Sequence, residues 1–270
     1  MDFIVTKLNA NIQINKISSH IATQVKAIGH CGAAEAFAYY LKNQDQLVGD
    51  TELNKFMLFY ANNYSISSSQ WSQDIFVLYA CNSKKSGLFL EVGGADGFTH
   101  SNTYSLEKQY EWRGTLVEPD PHQFRRLSAS RPENTLINAA ISPNDKEERL
   151  KLRLVGQLSA LEGHEGKDMH QATRLNKKNF AKVNAISLTR LLSEKKYDYF
   201  SLDIEGAELS IIKNIKWDII LKPSILTIEH NFREDDKSDI LEILKTHGYI
   251  ECFSSHDWLR RGDIWATLSE

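Results

Sequence analysis

From Leu88 onward the chain alternates short apolar runs with segments of helical apolar spacing, and no other feature limits the fold as tightly. The runs LFLEV, GTLVEPD, NTLINAAIS, YFSLDIEG and SILTIEHN read as strands. SNTYSLEKQYEW and PHQFRRLSAS, the latter opened by Pro121, read as helices between them. Strands spaced by helices build an open, mostly parallel sheet with helices on both faces. Such sheets bind ligands beyond the carboxyl ends of their strands. Glu91, Glu118, Asp203, Glu205 and Glu229 all fall at predicted strand ends, so one sheet edge gathers carboxylates.

Two regions depart from simple alternation. EERLKLRLV alternates at period two and runs into the polar segment EGHEGKDMHQATRLNKKN, whose length fits either a lid or a disordered excursion. YIECFSS and WLRRGDIWATL read as closing strands with no helix between them. Residues 1–70 read as a helical N-terminal extension, because AAEAFAYYLKNQDQL and TELNKFMLFYANNY carry helix-spaced apolar positions and glycine is sparse after Gly32. SSSQWSQDIFVLYACNSKKSG reads as a capped helix that delivers the chain to the first strand of an α/β domain over 71–270.

Composition removes several classes of function. A formal net charge of −3 gives no electrostatic case for a nucleic-acid or anionic-membrane partner. Cys31, Cys81 and Cys252 form no C-x-x-C, which argues for reduced thiols rather than a disulfide framework or zinc knuckle. MDFIVTKLNANIQINK lacks the pattern of a signal peptide, and the longest apolar run, IFVLYAC, is too short to span a bilayer. A cytoplasmic protein is expected.

The stretch GLFLEVGGADGFTHSNTY narrows the ligand. A dinucleotide fingerprint would need glycines at 93, 95 and 98, where the chain has Gly93, Ala95 and Phe98. The pattern present is E-x-G-x-x-x-G, from Glu91, Gly93 and Gly97, with Gly94 as an extra glycine. A pyrophosphate beside Glu91 and Asp96 meets like-charge repulsion, whereas the sulfonium and ammonium of S-adenosylmethionine suit two acids. Glu118, 21 residues after Gly97, ends the second strand, where a carboxylate can accept bonds from both ribose hydroxyls. The alternative role for Glu91 and Asp96 is turn capping.

These residues resemble the FkbM family of methyltransferases. The resemblance rests on SQDIFVL, GLFLEVGGADGFTHSNTYSLEKQYEWRGTLVEPDP and SLDIEGAELSIIKNI, with AISLTRLL and ILTIEHN as weaker stretches, and covers about 72–232. It implies a class I, Rossmann-like fold of seven strands, the last antiparallel, with S-adenosylmethionine as cofactor and O-methylation of a sugar or polyketide hydroxyl. Carried over by position, Glu91, Gly93, Gly94, Ala95, Asp96 and Gly97 form the methionine-binding loop and Glu118 holds the ribose. Asn138 and Ala139 lie near the adenine wall, and Asn102, Pro119 and Asp203 complete the expected contacts. The chain departs from the family at Thr189 and Asp96, where aspartate and asparagine are frequent; neither change removes a group that binding needs.

For the chemistry, His230 is the candidate general base, among Asp203, Glu205 and Glu229. Its alternative is a buried histidine bonded to Glu229 or backbone, and Glu208 suits a helix-dipole role. Asp203, Glu229 and Asn231 also offer the hard oxygens that a divalent ion accepts. Ser159, in GQLSAL, is either a substrate contact or an ordinary turn. His164 and His170 lack helical spacing for a metal; Arg260 and Arg261 read as a hairpin tip or a phosphate contact; Trp71, Tyr104, Tyr110 and Trp112 read as core, interface or sugar-stacking rings. The expected acceptor is a sugar, nucleotide-sugar or glycan. The competing readings are a methyltransferase for protein or small-molecule nitrogen, and a non-catalytic binding or scaffold protein.

Overall fold

The structure, a computed structural model, describes residues 31–47, 49–165 and 170–269. The expected helical extension therefore lies outside the described residues over 1–30, as does part of the lid-or-disorder segment at 166–169.

The main sheet has seven strands, β1 (Leu88–Val92), β2 (Arg113–Val117), β3 (Thr135–Ile137), β8 (Tyr199–Leu202), β9 (Ile225–Glu229), β10 (Tyr249–Glu251) and β11 (Asp263–Leu268). Across the sheet they run β3-β2-β1-β8-β9-β11-β10. β1, β2, β3, β8 and β9 pair in parallel, whereas β11 is antiparallel to both β9 and β10. This is a Rossmann-like class I arrangement. The strand order reverses between β1 and β8, which opens the crevice where such sheets hold ligands.

Successive side chains of a strand face opposite sides, so each strand feeds two cores. Leu90, Val92, Phe200, Leu202, Leu226, Ile228 and Ile264 pack on one face. Phe89, Tyr199, Ile225 and Trp265 pack on the other, under the helices Cys31–Lys42 and Thr51–Asn63 and the helix Gln73–Ala80. That second core is aromatic: Phe76 stacks on Trp265 at 4.8 Å and Phe37 on Tyr60 at 4.9 Å. Asp74 is fully buried and accepts bonds from Ser67 Oγ, Ser68 N–H and Ser105 Oγ, tying residues 67–68 to the helices Gln73–Ala80 and Tyr104–Tyr110.

Two expectations change. NTLINAAIS is not one strand: β3 ends at Ile137, and β4 (Ala140–Ile141) joins a second sheet with β5 (Glu148–Arg153), β6 (Ala160–Leu161) and β7 (Phe180–Ile186), ordered β4-β7-β5-β6. The Asn138 side chain drives the break, donating to the carbonyl of Glu118 at 2.8 Å while Ala139 begins the turn. The closing strands are separated by a four-residue helix, Asp257–Arg260, held where the buried Arg260 guanidinium bonds Glu251 and Asp257. Within the polar segment, Gln171–Asn176 is helical. Among the described residues, no helix is long and apolar enough to cross a membrane.

Candidate active site

A cavity of about 610 Å³ opens beyond the carboxyl ends of β1, β2, β8 and β9, a size typical of small-molecule sites. Val92 to Ala95, Val117 to Pro119 and Ala139 to Ile141 line one half. Asp203, Glu205, Glu229, Asn231, His100, Trp71 and Arg261 line the other.

The floor is a backbone turn that permits no side chain at Gly93. Gly93 has φ +93°, and a Cβ there would run into the Asp203 carbonyl oxygen. The N–H groups of Gly93 and Gly94 donate to the Val117 carbonyl at 3.0 and 3.1 Å, so β1 and β2 jointly hold the loop. Glu118 closes the turn from the side, its two oxygens accepting from Ala95 N–H at 2.8 Å and Asp120 N–H at 2.7 Å. Each oxygen keeps a second lone pair facing a site that Glu118 itself lines. Burial pushes the Glu118 carboxyl up to about 7, against the lowering effect of those two N–H groups.

Several residues expected at the cofactor support the loop instead and do not line the cavity. Strand parity turns Glu91 onto the aromatic face, where it accepts from Asn102 N–H at 2.8 Å and Thr103 Oγ1 at 2.5 Å. Burial raises its pKa, partly offset by the Arg131 guanidinium. Asp96 takes Thr99 N–H at 2.8 Å and Phe98 N–H at 3.1 Å; burial favours the neutral acid, but these bonds and Arg126 outweigh it and lower its pKa. Turn capping thus describes both acids. Gly97 allows the helix Pro121–Ser130 to approach, since a Cβ would lie 2.5 Å from Leu127. Asn102 donates to Ser201 Oγ at 3.0 Å, and Asn138 braces the Glu118 turn from an exposed position. Ser159 lines the cavity, while its hydroxyl bonds Asp120 at 3.1 Å and the Gly156 carbonyl at 2.7 Å.

The reactive end is acidic. Asp203, Glu205 and Glu229 bring carboxylate oxygens within 4.8 Å of one another, a spacing that could hold a metal ion. Burial raises the Asp203 pKa, and burial followed by the Asp203 charge raises that of Glu229 well above the ordinary carboxyl range. Glu205, at φ +65°, is bonded by the fully buried Arg174, and Asn231 Nδ2 donates to Glu229 at 2.8 Å. Glu208 accepts from Ile204 and Gly206 N–H, closing the turn that carries Glu205.

His230 does not meet the expectation of a base. It is buried behind the site, neither ring nitrogen has a hydrogen-bond partner, and burial followed by the charges of Lys237 and Arg260 lowers its pKa to about 4. His100, passed over in the sequence although it lies inside the glycine-rich stretch, lines the cavity and partly offsets the burial that raises the Asp203 pKa. His170 also lines the cavity.

Beneath Glu229, Asp263 is buried and receives a bond from Gln73; burial and then the Asp203 charge push it up to about 8. Folded pKa values above the ordinary carboxyl range mean that the native state binds more protons than the unfolded chain. Their contribution is full below about pH 4 and lost as pH rises through about 7 for Glu118 and about 8 for Asp263. Urea titrations of the ligand-free protein should therefore show stability falling between about pH 4 and 8 by on the order of a few kcal/mol, then levelling off. Asp263→Asn should remove the fall between about pH 7 and 8 and reduce the slope below it; an unchanged curve would refute the assignment.

Residues 91–251 match the family model described as the methyltransferase FkbM domain. A search of curated proteins returns no match. Among solved structures, the chain is similar to methyltransferase FkbM from Methylobacillus flagellatus KT, at 15% identity and TM-score 0.44, over 85% of this chain and 60% of that one. It is similar to a TehB-like SAM-dependent methyltransferase from Corynebacterium glutamicum, at 9% identity and TM-score 0.40, over 80% of this chain and 97% of that one. A precorrin-6y C5,15-methyltransferase from Geobacter metallireducens GS-15 is similar at 10% identity and TM-score 0.39, over 73% of this chain and 86% of that one.

Proposed function

The chain belongs to the FkbM methyltransferase family and depends on S-adenosylmethionine, and from that premise we propose that it methylates a hydroxyl of a sugar or glycan. The observation that carries this reading is that His100, the carboxylates of Asp203, Glu205 and Glu229, and Trp71 line one cavity. Carboxylates accept bonds from polyols, and an aromatic face covers the apolar side of a sugar ring.

When bound, the cofactor supplies an electrophilic methyl group. The chain's own residues divide the remaining work. The turn from Gly93 to Ala95 offers close backbone approach, Glu118 would accept bonds from the ribose hydroxyls, and Pro119 and Ala139 would flank the base. His100 takes the hydroxyl proton, and the Asp203 carboxylate opposite stabilises the resulting imidazolium. Glu229 and Glu205 hold neighbouring hydroxyls. Positioning of the nucleophile supplies much of the rate.

Incubation with methyl-deuterated donor, nucleotide sugars and glycan pools tests the reading. O-methylated sugars carrying the label are expected; label on amines would move the acceptor to nitrogen, and no transfer to any pool would leave a binding protein. A second reading has its own observation, the cluster of Asp203, Glu205 and Glu229, whose oxygens would take a divalent ion. Full turnover in excess chelator would exclude it.

The raised Glu118 carboxyl gives a pH prediction. Ribose hydroxyls donate to the ionised form, so affinity for S-adenosylhomocysteine should rise as pH climbs through about 7 and then level off. Calorimetry in two buffers should detect proton release below pH 7. Glu118→Ala should weaken binding by roughly 10–100-fold, the value of one or two charge-assisted bonds. A pH-independent affinity would remove Glu118 from the ribose.

A further inference from the structure

We propose that Arg261, braced on Trp71, is a specificity-determining residue that binds an oxyanion, phosphate or carboxylate, carried by the acceptor. This rests on the sugar-hydroxyl reading above. Among the described residues, Arg261 is the one lysine or arginine that lines the cavity. Its neighbour Arg260 is buried and spent on Glu251 and Asp257.

Three features mark Arg261 as built for a ligand. Its backbone sits at φ 57° and ψ −123°, a region that favours glycine, although Gly262 follows directly. Strain of this kind persists where the surroundings or a function require it. The guanidinium lies 5.1 Å from the centroid of the Trp71 ring, which restrains the planar fork that recognises oxyanions in pairs of bonds. Its present counter-ion is Glu35, whose side chain is 54% exposed on the helix Cys31–Lys42. Exposed pairs of this type are weak, so an incoming anion can displace Glu35.

The charge pattern then orients the acceptor. Asp203, Glu205 and Glu229 repel an anion from the reactive end, while Arg261 attracts it to the rim, so the group to be methylated enters with its neutral face toward His100. Trp71 precedes and Arg261 follows the 91–251 span that matches the family model. The recognition element is therefore assembled from segments on either side of that span.

Binding of UDP-glucose, glucuronic acid, methyl glucoside and inorganic phosphate should be measured by calorimetry, with and without S-adenosylhomocysteine. UDP-glucose or glucuronic acid should bind about tenfold or more tightly than methyl glucoside, and Arg261→Ala should remove that advantage. Preference for UDP-glucose identifies phosphate as the anion, and preference for glucuronic acid identifies carboxylate. Glu35→Gln should tighten anionic probes a few-fold by removing the competitor, a gain that a merely structural Arg261 would not produce. Affinity for S-adenosylhomocysteine should stay unchanged in both variants. Equal affinity for charged and neutral sugars, an unchanged Arg261→Ala protein, or no anionic binding at all would overturn the proposal. Anion binding that survives a failure of methyl transfer would instead count against the proposed function alone.

Discussion

Gly93→Ala is expected to lose about 2–5 kcal/mol of folding stability and all detectable S-adenosylhomocysteine binding, from the summed penalties of a left-handed backbone and an overpacked contact. The added Cβ would meet the Asp203 carbonyl, so relief requires β1 and β8 to part where the cavity begins. Gly94→Ala is the matched control. Its Cβ would lie 3.5 Å from Leu116 and Leu127, ordinary contact, and the change should stay within about 0.5 kcal/mol. Urea midpoints for the two variants decide the matter: similar losses would mean that glycine content, not the Gly93 clash, governs the loop.

The second large effect separates the two histidines. His100→Ala and Asp203→Asn should each lower kcat by about 10²–10⁴-fold, the usual contribution of a positioned proton acceptor. Donor affinity should change little for His100→Ala. His230→Met should keep kcat within a few-fold and raise stability by about 1 kcal/mol, because a buried imidazole without partners gives way to an apolar side chain of similar size. Loss of turnover in His230→Met with full activity in His100→Ala would reverse the assignment.

The main sheet was legible because strands buried on both faces write themselves as continuous apolar runs, as in LFLEV and SILTIEHN. Glu118 was legible for a related reason: the proline and aspartate after it fix a turn, so its carboxylate must sit at the strand end. The face that Glu91 takes was not legible, because an acid one residue before the strand's last position obeys side-chain alternation and turns to the aromatic face. The split between β3 and β4 was hidden because the side chain of Asn138 reaches Glu118, 20 residues away, a contact that local pattern cannot show. His230 stood out in the sequence beside Glu229, whereas it is His100 that lines the cavity. Each is a histidine near acids in sequence, and only the packing of the folded chain distinguishes the buried His230 ring from the exposed His100.

The aromatic layer bears on how portable this scaffold is. Phe37, Phe56 and Tyr60 cover Phe76 and Trp265, so a fragment cut at residue 71 to graft the donor-binding unit elsewhere would carry a bare greasy plate. Such a plate invites self-association rather than a working chimera. Transplants of this enzyme should therefore travel with the preceding helices attached, and libraries that diversify those helices will be sampling solubility before they sample specificity.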